Sequence, residues 1–92
     1  EAVGAGVTHV AVGDAVAVNP SLPCGVCAQC LAGRPIHCLE MRFLGSAMRM
    51  PHVEGAFRAR YTCEAARAVK LPPGLSVERA AFAEPLSVCL HA

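Results

Sequence analysis

Apolar residues fall along the chain in short bursts separated by Gly, Pro and charged positions, not in long periodic runs. Ala15-Val-Ala-Val-Asn19, entered from a tight turn at Gly13-Asp14 and halted by Pro20, is rich in β-branched residues and predicts a short strand. Upstream, Ala2-Val3 reads as the end of another strand and Gly4 to Thr8 as a turn. Phe57-Arg-Ala-Arg-Tyr61 alternates apolar with charged, which suits a sheet with one wet face and predicts a strand over Phe57 to Cys63. Ala68 to Leu71 predicts a further strand, stopped by Pro72-Pro73-Gly74. Met41 to Gly55 follows neither a period of about 2 nor one of about 3.6, so it predicts a path of strand and turn. Phe43 and the three Met residues then read as core filler, with Ser46 and His52 as loop residues.

Helix signals come last. Ser76 is placed to cap a helix over Val77 to Phe82, with Glu78 in the first turn where the helix dipole favours a carboxylate. Pro85 suits the first position of another helix that runs off the end of the chain. The expected class is therefore mainly β, with C-terminal helical segments. Glu84 stands out in the apolar run Ala80 to Leu90, because a carboxylate buried there needs a cation, a metal or a proton. Two readings satisfy it: a metal, or a cap on the helix beginning at Pro85.

Composition narrows the class. Ninety-two residues suffice for one small domain, but a chain of this size buries a modest fraction of its surface and often needs a metal or a partner. A net charge of +1, no Lys/Arg run, no Trp and few aromatics argue against a nucleic-acid surface. No apolar run is long enough to span a bilayer and no signal-peptide pattern is present, which points to a soluble, intracellular protein. The start at Glu1 and the end at His91-Ala92 in mid-pattern read as a piece of something larger. Gly4-Ala-Gly6 is not a dinucleotide fingerprint, since the third glycine would fall at His9 and no helix pattern follows. His9 reads as a surface or turn residue.

The densest chemistry lies between Cys24 and Cys38, where C-x2-C-x2-C-x7-C places four thiols within fifteen residues. Two-residue gaps let a turn aim neighbouring sulfurs at one point, and four thiolates in tetrahedral array are what a structural zinc ion takes. Disulfides fit poorly, because cysteines two residues apart rarely reach bridging geometry and an intracellular chain is kept reduced. Bacterial ferredoxins also begin C-x2-C-x2-C, but there a gap of about three residues precedes a fourth cysteine that proline follows. Here the gap is seven and Leu39 follows. Inert thiols have no reason to crowd one loop. His37 adjoins Cys38 but stays outside a shell that four cysteines already fill.

Several words of sequence, in order, resemble the zinc-dependent medium-chain dehydrogenases: Val12-Gly-Asp14-Ala-Val16, the four-cysteine loop, Gly55-Ala-Phe57, Lys70-Leu-Pro-Pro-Gly74 and Glu84-Pro-Leu86. Asn19 to Gly25, Met41-Arg-Phe43, Gly45-Ser-Ala-Met48, Pro51-His52 and Ala83 to Leu86 resemble the polyol branch, and within it the L-idonate 5-dehydrogenase group. The resemblance covers essentially the whole chain. It implies that residues 1–92 are part of a GroES-like β-barrel catalytic domain, lacking its N-terminal part and the Rossmann domain that binds NAD(P). It implies structural zinc on Cys24, Cys27, Cys30 and Cys38, and places Glu84 at a second, catalytic zinc, as direct ligand or through water. Phe43 and Ser46 match positions that line the substrate pocket with an apolar face and a hydroxyl. A Cys and a Gly-His-Glu motif complete the catalytic site in this family, and the chain holds no Gly-His-Glu. The implied intact protein is a cytoplasmic homo-oligomer, dimer or tetramer. It oxidises a secondary alcohol of a polyol or sugar acid, L-idonate to 5-keto-gluconate, by zinc-assisted hydride transfer to NAD(P), while the segment alone is expected to be inactive. The class-distinct alternative is a stand-alone zinc-stabilised binding or scaffold module without catalysis.

Overall fold

A computed structural model describes residues 1–91. In chain order its elements are β1 (Val16–Val18), β2 (Ser21–Leu22), α1 (Ala28–Leu31), β3 (Arg42–Phe43), β4 (Ala68–Lys70), α2 (Val77–Ala80) and α3 (Ala83–Leu90). Two 3-10 turns, Pro35–His37 and Ala65–Arg67, interrupt the loops. The chain divides into two compact units, one of Glu1–Asn19 with Cys63–Ala92, the other of Pro20–Thr62.

In the first unit β1 pairs antiparallel with β4, Val16 opposite Lys70 and Val18 opposite Ala68. Leu71 N–H to Ala15 O at 2.9 Å and Asn19 N–H to Arg67 O at 2.9 Å extend the ladder at both ends. Asp14 closes the entering turn: its backbone N–H reaches Ala11 O at 3.1 Å and its carboxylate accepts from the Ala11 N–H at 2.8 Å. The same carboxylate takes the Lys70 ammonium at 2.8 Å, so a side-chain pair joins the turn to the far strand. His9 is exposed, with Nε2 3.0 Å from Ala65 O, as expected of a turn residue. Ala2-Val3 is not a strand; Gly4 to Val7 forms a turn instead, through Val7 N–H to Gly4 O at 3.3 Å.

The helices fall close to where the sequence puts them. Ser76 Oγ accepts from the Arg79 N–H at 3.3 Å and caps α2, whose regular part ends at Ala80, not Phe82. α3 begins two residues earlier than Pro85 suggests, with Phe82 as the flanking residue and Ala83 first. Pro85 thus stands third in the helix, where a missing N–H still costs no intrahelical bond. α3 ends at Leu90, with His91 just past it.

In the second unit β2 pairs antiparallel with β3, Ser21 opposite Phe43 and Leu22 opposite Arg42. After β3 the chain turns repeatedly, as the absence of a clean period predicts. Gly45 lies so close to Gly55 that a Cβ on either would sit 3.5 or 3.4 Å from the other's Cα, and Gly45 also has a positive φ of 74°. Gly45 N–H to Glu54 O at 3.3 Å and Val53 N–H to Ser46 O at 3.2 Å close this neck. Phe57 to Cys63 is not a strand. Its alternation is real, but a strand needs a neighbour for its backbone groups, and no described strand pairs with this segment. Arg58 instead pairs with Glu54 and lies over the Tyr61 ring at 6.0 Å, and Phe57 is fully exposed.

The architecture is mainly strand and coil with helices at the C-terminal end, and the barrel is not closed among the described residues. Among those residues, Cys38 is the sole buried position. The core filler expected at Phe43, Met48 and Met50 is exposed instead, Met50 to 76%.

Candidate metal centre

Local chain geometry builds the cysteine cluster. Gly25 adopts φ 77°, which turns the chain so that the Cys27 N–H points back to Cys24 Sγ at 3.3 Å. α1 then lifts Cys30 by one helical turn, and Gly33 with the 3-10 turn at Pro35 brings the chain round to Cys38. There the Cys24 N–H donates to Cys38 Sγ at 3.2 Å. The four sulfurs lie within 4.8 Å of one another, and Cys27 Sγ is 3.9 Å from Cys38 Sγ. Sulfurs at about 2.3 Å around one tetrahedral zinc would stand about 3.8 Å apart, so the donor set fits that ion in chemistry and in size. All six cysteines are free thiols, and the 3.9 Å between Cys27 Sγ and Cys38 Sγ is well beyond an S–S bond.

The electrostatics agree. Amide donors from Cys30 and Leu39 bring the Cys27 thiol down to about 6. The Cys24 amide lowers that of Cys38, while burial pushes Cys30 up to about 12. A cluster in which one sulfur ionises readily and its neighbour resists a second charge is one that a cation would relieve. His37 is exposed in the 3-10 turn and stays outside the cluster.

The other predicted site residues are placed separately. Phe43 and Ser46 come together on one shallow depression of the second unit, lined also by Met41, Arg42, Met48, Arg49 and Val53. Ser46 Oγ accepts from the Met48 N–H at 3.1 Å, which leaves its own proton to donate. Glu84 belongs to the first unit, in the first turn of α3. Its side chain makes no cap, because the helix starts before it, and it is exposed where apolar neighbours suggested burial. Neither guanidinium of the depression was marked by the sequence: Arg42 donates to Pro51 O at 2.8 Å and Met50 O at 3.2 Å, and Arg49 also reaches backbone carbonyls. Contacts of that kind leave no residue pattern to find.

Residues 1–73 match the alcohol dehydrogenase GroES-like domain. Over 80 residues the chain is 45% identical to L-idonate 5-dehydrogenase (NAD(P)(+)) of Escherichia coli K12, covering 87% of this chain and 23% of that protein. It is 40% identical over 92 residues to sorbitol dehydrogenase of Arabidopsis thaliana, covering all of this chain and 24% of that one. The crystal structure of galactitol-1-phosphate dehydrogenase from Escherichia coli superposes with a TM-score of 0.81 at 38% identity, over 98% of this chain and 25% of that one. The chain thus spans about a quarter of the length of the relatives it matches.

Proposed function

The chain belongs to the zinc-dependent medium-chain polyol dehydrogenase family through its GroES-like domain, and from that premise we propose that it is part of the catalytic domain of an enzyme oxidising a secondary alcohol of a polyol or sugar acid with NAD(P). The observation that carries the substrate, L-idonate oxidised to 5-keto-gluconate, is the 45% identity to an L-idonate 5-dehydrogenase. Residues 1–92 on this reading are the later part of the domain, inactive by themselves, and the complete enzyme is a cytoplasmic homo-oligomer, dimer or tetramer. Sedimentation of the purified protein checks the assembly.

Cys24, Cys27, Cys30 and Cys38 would hold a structural zinc in a shell that is closed to substrate. Their part is to pin a loop with little regular structure of its own. A catalytic zinc would supply Lewis-acid polarisation of the substrate hydroxyl, and NAD(P) would supply a hydride acceptor. Glu84, an exposed carboxylate, would stand at that ion, directly or through a water it orients. Phe43 gives the substrate's carbon chain an apolar face, and Ser46 offers its proton to a substrate hydroxyl.

The test is steady-state turnover by the purified complete protein. It should oxidise L-idonate with a higher kcat/KM than sorbitol. Equal or reversed preference would remove L-idonate while leaving the polyol class standing, and no NAD(P)-linked oxidation of any polyol would remove the class.

A further inference from the structure

The loop that lines the depression is anchored by one side chain to the end of the cysteine loop. Arg49 donates through Nε to Met41 O at 3.1 Å, through one terminal nitrogen to Glu40 Oε2 at 2.9 Å, and through the other to Leu39 O. Three consecutive residues immediately after Cys38 are therefore held by one guanidinium. The Leu39–Glu40 peptide is the centre of the arrangement. Its carbonyl accepts from Arg49, and it begins at the residue next to Cys38, whose Sγ accepts from the Cys24 N–H. A guanidinium on a peptide oxygen fixes the plane of that peptide, and with it the path of the chain leaving Cys38. Arg49 also lies between Ser46 and Val53, on the loop closed by the glycine neck, and its side chain is part of the wall that Phe43 and Ser46 share.

We propose that Arg49 is a positioning residue that clasps the closing end of the cysteine loop, steadying Cys38 through the Leu39–Glu40 peptide and tying the cluster to the loop that lines the depression. The proposal rests on the reading above for what the cluster and the depression hold. Partners of this kind, one bond removed from the metal ligands, orient those ligands and carry a measurable share of metal affinity. A lysine would not replace Arg49, because a single ammonium lacks the planar fork that meets three acceptors at once.

Zinc release to a chromogenic chelator from the complete protein, in the phase that Cys27→Ser abolishes, gives a readout independent of turnover. Arg49→Ala should quicken that phase about tenfold and raise KM for the polyol with kcat near the wild-type value. Arg49→Lys should rescue neither in full, and Arg49→Gln serves the same comparison if the alanine variant does not fold. Zinc release at the wild-type rate overturns the proposal, as does full rescue by lysine. So does quickened release with unchanged KM in a protein whose KM does respond to Phe43→Ala. Failure of the substrate reading looks different: Phe43→Ala then leaves KM unchanged, while quickened zinc release by Arg49→Ala still upholds the clasp.

Discussion

The cysteine loop and α3 both carry residues suited to a metal, and they are built in opposite ways. In the loop, four sulfurs drawn from fifteen consecutive residues converge within 4.8 Å, with amides of the same loop aimed at them. On α3, Glu84 stands exposed, and the bond nearby is the helix's own, Ser87 Oγ donating to Glu84 O at 2.7 Å. Among the described residues it belongs to no group of three or more metal-ligating side chains. A closed structural site can be made by one short stretch, since all it requires is a fixed donor set. A site that must keep one position open for substrate draws ligands from separate parts of a fold, so that no single loop fills the shell. On the function proposed above, the difference between the two regions would be that between holding a chain and working on a substrate.

The largest effect should come from breaking the local site. Cys27→Ser should drop the structural zinc from about one per chain to near none and lower Tm, because binding energy there is folding energy. Elemental analysis with a melting curve checks it, and unchanged values for both would refute the four-cysteine assignment. Next comes the site proposed at Glu84. Glu84→Gln should cut kcat by about 10-fold to 100-fold in the complete enzyme while the structural zinc and Tm stay at wild-type values. Loss of the structural zinc in that variant would mean that the two regions are not independent.

The smallest effect lies away from both the cysteine loop and Glu84. The Lys70 ammonium, with help from the Ala11 amide, holds the Asp14 carboxyl below its ordinary value of 3.8. A depressed carboxylate adds stability above its unfolded value, and that contribution is lost as pH falls through the lower folded value. Melting of the wild type should therefore drop more steeply below about pH 4 than melting of Asp14→Asn. Parallel curves for the two proteins would show that the pair contributes nothing to the β1–β4 ladder.

Legibility followed the same division. The cysteine cluster, β1, β4 and the Ser76 cap could be read because each depends on residues within a few positions: ligand spacing, a β-branched run ended by proline, a hydroxyl three residues before its donor. Phe57 to Cys63 misled because alternation records which faces a segment could present, not whether a neighbour exists to pair with it. Glu84 misled for a related reason. Apolar neighbours on an eight-residue helix suggest burial, yet Phe82, Leu86, Val88 and Leu90 are all exposed. The pairing of Ser21–Leu22 with Arg42–Phe43 had too few residues to show a period at all.

The glycine neck at Gly45 and Gly55 matters to anyone who would redesign this protein. It fixes where the intervening loop leaves the chain and where it returns, through the Gly45 N–H to Glu54 O and Val53 N–H to Ser46 O bonds and the positive φ of Gly45. Residues 47–52 are therefore a natural cassette, a segment that can be exchanged whole to reshape the wall of the depression. The cassette is not inert cargo, since its third residue is Arg49. A graft chosen only for the shape of its pocket wall would also rewrite the fastening of the cysteine loop. Selectivity and metal retention would then have to be screened together.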